Sequence, residues 1–164
     1  MAFDPPIGSI IAFAGPPLKV PGNYVVCDGR SVPVGGTFNA LFQAIGTSWG
    51  GDGVNNFNIP DLRGLFLRGI SQDSGRDPDA DKRTAIHPGG HAGNQVGSFQ
   101  PSDFSSHTHT FVGKFLEANG GTGFIGHGFD SNSRQSDANF SMSTQGGNET
   151  RPINVNVLWI IRVS

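Results

Sequence analysis

Apolar and small side chains alternate near both ends of the chain, and a helical spacing occurs once between them. From Ile7 to Ala14, Ile7, Ser9, Ile11 and Phe13 share one face and Ile10, Ala12 and Ala14 the other. That pattern predicts a strand buried on much of both faces. Gly15-Pro16-Pro17 ends it, since proline has no N–H to donate to a ladder. A second strand, Asn23 to Cys27, follows Pro21-Gly22 and stops at the turn dipeptide Asp28-Gly29. The convincing helix is Thr37 to Ile45: Phe38, Leu41, Phe42 and Ile45 fall at i, i+3, i+4 and i+7. Thr37 is placed to cap its start and Gly46 to stop it, and the apolar stripe is expected to pack in the core. The strongest strand signal is Arg151 to Val163, where Val155, Val157, Trp159, Ile161 and Val163 share a face. Its natural partner is the Ile7–Ala14 strand, which would bring the termini together.

Between these elements lie two different kinds of segment. Trp49-Gly50-Gly51-Asp52-Gly53 and Phe57-Asn58-Ile59-Pro60-Asp61-Leu62-Arg63-Gly64 mix apolar anchors with turn formers, as a tightly packed irregular stretch would. Residues 71–150 are rich in Gly, Ser, Asn and Asp and read as a long excursion from a small core. Loops beyond about 15 residues without structure of their own are usually disordered or functional. Pairing between chains is one way out, because an intertwined oligomer satisfies polar backbone groups against its neighbours.

Composition narrows the class. The chain has 164 residues with 25 Gly and 11 Pro, offset by 13 Phe and 2 Trp that supply apolar anchors. It therefore reads as one folded, loop-rich body with a real core. A formal net charge of -2 with no Lys/Arg cluster argues against a nucleic-acid footprint. The single cysteine, Cys27, excludes an intrachain disulfide and a cysteine-based zinc site, and its β-rich apolar run marks it as a buried small hydrophobe. The N-terminus carries no signal-peptide pattern and no apolar stretch approaches the roughly 20 residues that span a bilayer, so synthesis in the cytoplasm without membrane insertion is expected.

The candidate chemistry begins with His107-Thr108-His109. In an extended segment residues two apart share a face, so both imidazoles project the same way, roughly 7 Å apart along the strand. Two ligands are too few for a protein metal site, whereas three chains on a threefold axis would supply six. Two solvated histidines are the commoner meaning of such a spacing taken alone. Asp73, Asp77, Asp79 and Asp81 resemble the start of a calcium loop, but Lys82 and Pro88 stand where that loop needs Gly and Glu. A solvated acidic loop paired with Arg76, Lys82 and Arg83 is expected instead. His87 and His91, split by Pro88-Gly89-Gly90, are expected in solvent or at a subunit interface. Glutamate occurs only at Glu117 and Glu149, and no nucleophile elbow, phosphate loop or dinucleotide fingerprint is present, so no enzyme activity is expected.

Pro21-Gly22, Cys27-Asp28-Gly29, Phe38-Asn39-Ala40-Leu41-Phe42, Gly50-Gly51-Asp52-Gly53 and Pro60-Asp61-Leu62-Arg63-Gly64 together resemble the phage tail collar domain, the module of tail fibres and microcystin-dependent proteins. Asp77-Pro78-Asp79-Ala80, Pro88-Gly89-Gly90, the His-x-His run and Glu149-Thr150-Arg151-Pro152-Ile153-Asn154 are similar to the receptor-binding end of such fibres. The resemblance implies a mainly β fold with one short α-helix and long loops: a collar-like globular core bearing an intertwined trimeric tip. The core would be residues 1–70 completed by 151–164, and the tip 71–150.

It further implies a homotrimer at the distal end of a tail fibre or a phage-tail-like contractile injection system, joined to shaft or baseplate proteins and touching a cell-surface receptor, with a glycan expected. His-x-His motifs of three chains coordinate axial metal in such fibres; carried over, the ligands are His107 and His109. Six neutral imidazoles suit Fe²⁺ or Zn²⁺. One motif rather than several suggests a short tip. With six residues before the first strand, the chain is expected to be either a tip fragment or a small stand-alone cap. For a glycan, Phe124, His127, Phe129, Asn132, Arg134, Gln135 and Asn139 offer aromatic faces for sugar rings and polar groups for hydroxyls; packing of the Phe residues between chains is the alternative. The alternatives are a structural cap closing a trimeric fibre, or a polysaccharide-degrading enzyme.

Overall fold

In a computed structural model of the chain, residues 4–103, 106, 108 and 152–164 are described. The chain divides into two compact units, Met1–Ser102 with Asn154–Ser164, and Asp103–Ile153. Among the described residues, the first contains strands β1 (Ile10–Phe13), β2 (Tyr24–Val26) and β3 (Ser31–Pro33), helix α1 (Asn39–Ile45), then β4 (Asn56–Asn58), β5 (Thr84–Ala85), β6 (Ser98–Phe99) and β7 (Leu158–Arg162), with three short 3₁₀ turns. The fold is mainly β with one short α-helix, as the sequence pattern predicts.

The C-terminal strand is the centre of the main sheet, whose order is β1-β7-β2. Both neighbours run antiparallel to it, with Ile10 opposite Ile161 and Val25 opposite the same residue on the other side. The expected pairing of the first and last strands is therefore present. Ala12 and Ala14 are exposed, so burial of β1 is partial rather than two-sided. Regular pairing begins only at Ile10 because Gly8, at φ +86°, interrupts the ladder while still donating to the Arg162 carbonyl at 3.0 Å.

Two other boundaries move for physical reasons. The predicted strand from Arg151 shortens to Leu158–Arg162, and Val155 is 85% exposed. Pairing runs out at Phe13–Leu158, where Gly15-Pro16-Pro17 turns β1 away, and alternation without a partner strand does not make a sheet. Thr37 does not cap α1. It lies inside a 3₁₀ turn, Gly36–Phe38, which feeds the helix through backbone bonds, and Phe38 takes the cap position without a side-chain bond. Gly46 closes α1 as predicted, at φ +54° and with its N–H on the Phe42 carbonyl at 2.8 Å.

The core is one cluster of Cys27, Val32, Leu41, Phe57, Ile59, Leu62, Ile161 and Val163. Phe38, Phe42 and Ile45 of the helical stripe pack against it, and the Phe42 and Phe57 rings meet at 5.2 Å and 53°. Asp52 organises the turn leading into β4: its carboxylate accepts the backbone N–H groups of Val54, Asn55 and Asn56 at 2.9, 2.7 and 3.0 Å. Those bonds, with one from the Asn55 side chain, hold its carboxyl well below the usual carboxylate range.

Residues 71–102 belong to the same compact unit as this core. The Pro88-Gly89-Gly90-His91 stretch lies against Ser48–Gly51, with Gly51 N–H on the Pro88 carbonyl and His91 N–H on the Ser48 carbonyl, each at 3.0 Å. Gly89, at φ +80°, makes the approach possible, because a Cβ there would sit 2.1 Å from the Gly51 carbonyl oxygen.

Candidate functional site

The sequence-predicted site residues fall outside the described residues. That holds for His107 and His109, and for Phe124, His127, Phe129, Asn132, Arg134, Gln135 and Asn139. Two charged clusters within the first unit carry the chemistry that the structure does place.

The first is the corner built from Cys27–Arg30 and Pro60–Arg63. Gly29 N–H bonds the Pro60 carbonyl and Leu62 N–H the Cys27 carbonyl, each at 3.1 Å, setting Asp28 opposite Asp61 in an antiparallel bridge. Two like charges so placed need partners of their own. Arg30 bonds Asp28 at 2.7 Å, and Arg63 forks onto both oxygens of Asp61 at 2.8 and 2.7 Å. The Arg63 bond lowers the Asp61 carboxyl against an opposing effect of burial, with a smaller contribution from His87. Burial, then the charges of Asp28 and Asp61, push the Cys27 thiol up to about 12, the state of an unreactive core thiol. The Pro-Asp-Leu-Arg-Gly block is thus a neutralised corner, and its arginines are held by their own carboxylates.

The second cluster corrects the acidic-loop reading. Asp77 is not solvated: its side chain is 6% exposed and sits between Arg83 at 3.3 Å and Arg68 at 3.5 Å. Arg83, 16% exposed, also donates to Ser98 Oγ, the Ser98 carbonyl and Gln100 Oε1 at 3.0, 3.2 and 2.9 Å. Pairing with Arg83 was legible in the sequence; Arg68, nine residues before Asp77, was not, since nothing local links them. Arg76 is not an acidic-loop partner here, whereas Asp79 and Lys82 do pair, at 2.6 Å. No three His, Cys, Asp or Glu side chains come together as a metal-holding group among the described residues. His87 is half-buried against Gly50, with its Nε2 buried and without a hydrogen-bond partner among the described residues, and His91 bonds the Val96 carbonyl at 3.0 Å.

The β1-β7-β2 sheet, the packed helix and the Pro-Asp-Leu-Arg-Gly corner together make a small β-rich module. Residues 8–67 match the model of the phage tail collar domain. Protein RhiB of Rhizobium leguminosarum bv. viciae is 32% identical over 163 residues, covering 91% of this chain and 70% of that protein. The chain belongs to the phage tail collar domain family. It is accordingly a tail-fibre-related protein whose domain is a structural component of phage tails. No helix among the described residues is long and apolar enough to cross a membrane.

Proposed function

We propose that the protein is the tip of a tail fibre, or of a phage-tail-like contractile injection system, that trimerises and attaches to a cell-surface glycan. The observation that carries this reading is the collar match over residues 8–67, laid onto a core whose termini meet in one sheet. Shaft or baseplate proteins would be its partners on the particle. His107 and His109 of three chains would hold one axial ion, Fe²⁺ or Zn²⁺, because six neutral imidazoles suit borderline divalent ions better than Mg²⁺ or Ca²⁺. The ion would lock the three chains in register and take no part in chemistry on a substrate. Phe124, His127, Phe129, Asn132, Arg134, Gln135 and Asn139 would offer the aromatic and polar contacts that a glycan needs.

Native mass spectrometry before and after chelation tests the assembly. A trimer with one transition-metal ion, lost in a His107→Ala/His109→Ala variant, is expected; a metal-free monomer would sink the axial site. Attachment is tested by adsorption to target cells, which Phe129→Ala with Arg134→Ala should abolish. Undiminished adsorption would move the receptor site elsewhere. No adsorption by the unaltered protein would leave a structural cap.

A further inference from the structure

Beside the Asp77 cluster lies an open cleft of about 180 Å³, lined in part by Arg68, Ile70, Ser71, Ser74, Arg76 and Asp77. The arginines among the described residues are not equivalent. Arg30 and Arg63 are spent on Asp28 and Asp61, Arg162 on Asp4 and the Ser164 carbonyl, and Arg83 on Asp77, Ser98 and Gln100. Arg68 donates to the Arg76 carbonyl at 3.1 Å while facing Asp77. Arg76 differs: its main chain is bonded, but its guanidinium has no hydrogen bond or ion pair among the described residues. Among the described residues, then, a lining residue carries a planar fork of donors without a partner, and such a fork matches an oxyanion.

The surroundings support a ligand rather than idle solvation. Two arginines, Arg68 and Arg76, line the cleft against one carboxylate, Asp77, which Arg83 also contacts from outside the lining, so positive charge is in excess at the cleft. Of the other acids in the loop, Asp79 is occupied by Lys82, and Asp73 and Asp81 lie outside the residues lining the cleft. The chain beside the lining residue Ser71 is held in shape: Gln72 adopts φ +46°, the one positive value for a non-glycine among the described residues, and its carbonyl is tied to Asn94 Nδ2 at 2.9 Å. Strain kept by surrounding bonds concentrates at binding sites. Ile70 supplies an apolar wall, and Ser71 and Ser74 supply hydroxyls. The volume falls below the roughly 300–1,000 Å³ of sites for drug-sized ligands, so one sugar-sized unit fits and an oligosaccharide does not.

We propose that this cleft binds a single sugar unit carrying an oxyanion, a carboxylate or a phosphate, with Arg76 gripping the anion and Arg68 beside it. The biological ligand, an acidic unit of a surface glycan, rests on the attachment reading above; the cleft's chemistry does not. The test is an NMR titration of the full chain with glucuronate, glucose 6-phosphate and glucose, following the resonances of Ser71, Ser74 and Arg76. Saturable shifts with one or both acids and none with glucose are expected, and the better acid identifies the anion. Arg76→Ala, a change at an exposed side chain without partners among the described residues, should weaken binding about tenfold, the size of one charged hydrogen bond. Equal response to glucose, undiminished binding by Arg76→Ala, or no shift with either acid would overturn the proposal. If the acid binds through Arg76 but the protein fails to adsorb to cells, the attachment reading fails and the cleft stands. Adsorption without acid binding does the reverse.

Discussion

Gly89 and Gly64 make a matched pair of perturbations. Both hold left-handed backbone, at φ +80° and +70°, so alanine at either position pays the same conformational penalty, about 1–2 kcal/mol. They differ in what the new methyl would touch. At Gly64 nothing lies within 4 Å, whereas at Gly89 the methyl would fall 2.1 Å from the Gly51 carbonyl oxygen. The Gly51 amide bonds Pro88, and the Gly50 carbonyl accepts from Asn58 in β4, so the Gly51 backbone has little room to retreat. Overpacking of a fixed contact adds about 1–3 kcal/mol, giving roughly 2–5 kcal/mol for Gly89→Ala against 1–2 for Gly64→Ala. For a chain of this length each kcal/mol lowers Tm by about 2–4 °C. Thermal and urea unfolding of the two variants, at matched protein concentration, should therefore separate by several degrees. Equal losses would mean that residues 88–91 do not dock on residues 48–51, and that the core ends nearer residue 67, where the family match ends.

Other perturbations address the remaining contacts. Arg83→Met should destabilise by about 2–3 kcal/mol, below the usual 3–5 for breaking a buried pair because Arg68 still faces Asp77; a loss under 0.5 kcal/mol in urea unfolding would contradict the buried network. Phe57→Ala, at the centre of the cluster, should cost about 3–5 kcal/mol, read as lost near-UV circular dichroism or poor recovery of folded protein. Cys27 should resist thiol reagents until the protein unfolds. Its folded value near 12 lies above its ordinary 9.0, so the unfolded chain ionises first and stability should fall as pH rises between those values; a Cys27→Ala variant should lose that slope. Asp52 is the opposite case: its folded value is depressed, so its contribution is present above the ordinary carboxylate range and lost as pH falls below it. Acid titration of Asp52→Asn should accordingly show less acid-dependent loss than the unaltered protein.

Local periodicity was enough for several features. The Ile7–Ala14 and C-terminal alternations marked two strands, the 38/41/42/45 stripe marked the helix and its buried side, and the apolar run around Cys27 marked an inert thiol. Each rests on neighbours within a turn of helix or a few strand residues, which sequence spacing reports directly. What the sequence could not decide depends on distant backbone. The last strand stops at Leu158 because its partner turns away at Gly15, and Thr37 loses its cap role to a 3₁₀ turn. Pro88-Gly89-Gly90 closes on Gly50-Gly51, and Arg68 joins Arg83 across Asp77, though no local pattern links those residues. Arg76 has the same charge as Arg68 in sequence; only the tertiary arrangement of carboxylates leaves this cleft residue without an acidic partner among the described residues, where each of the other described arginines finds one.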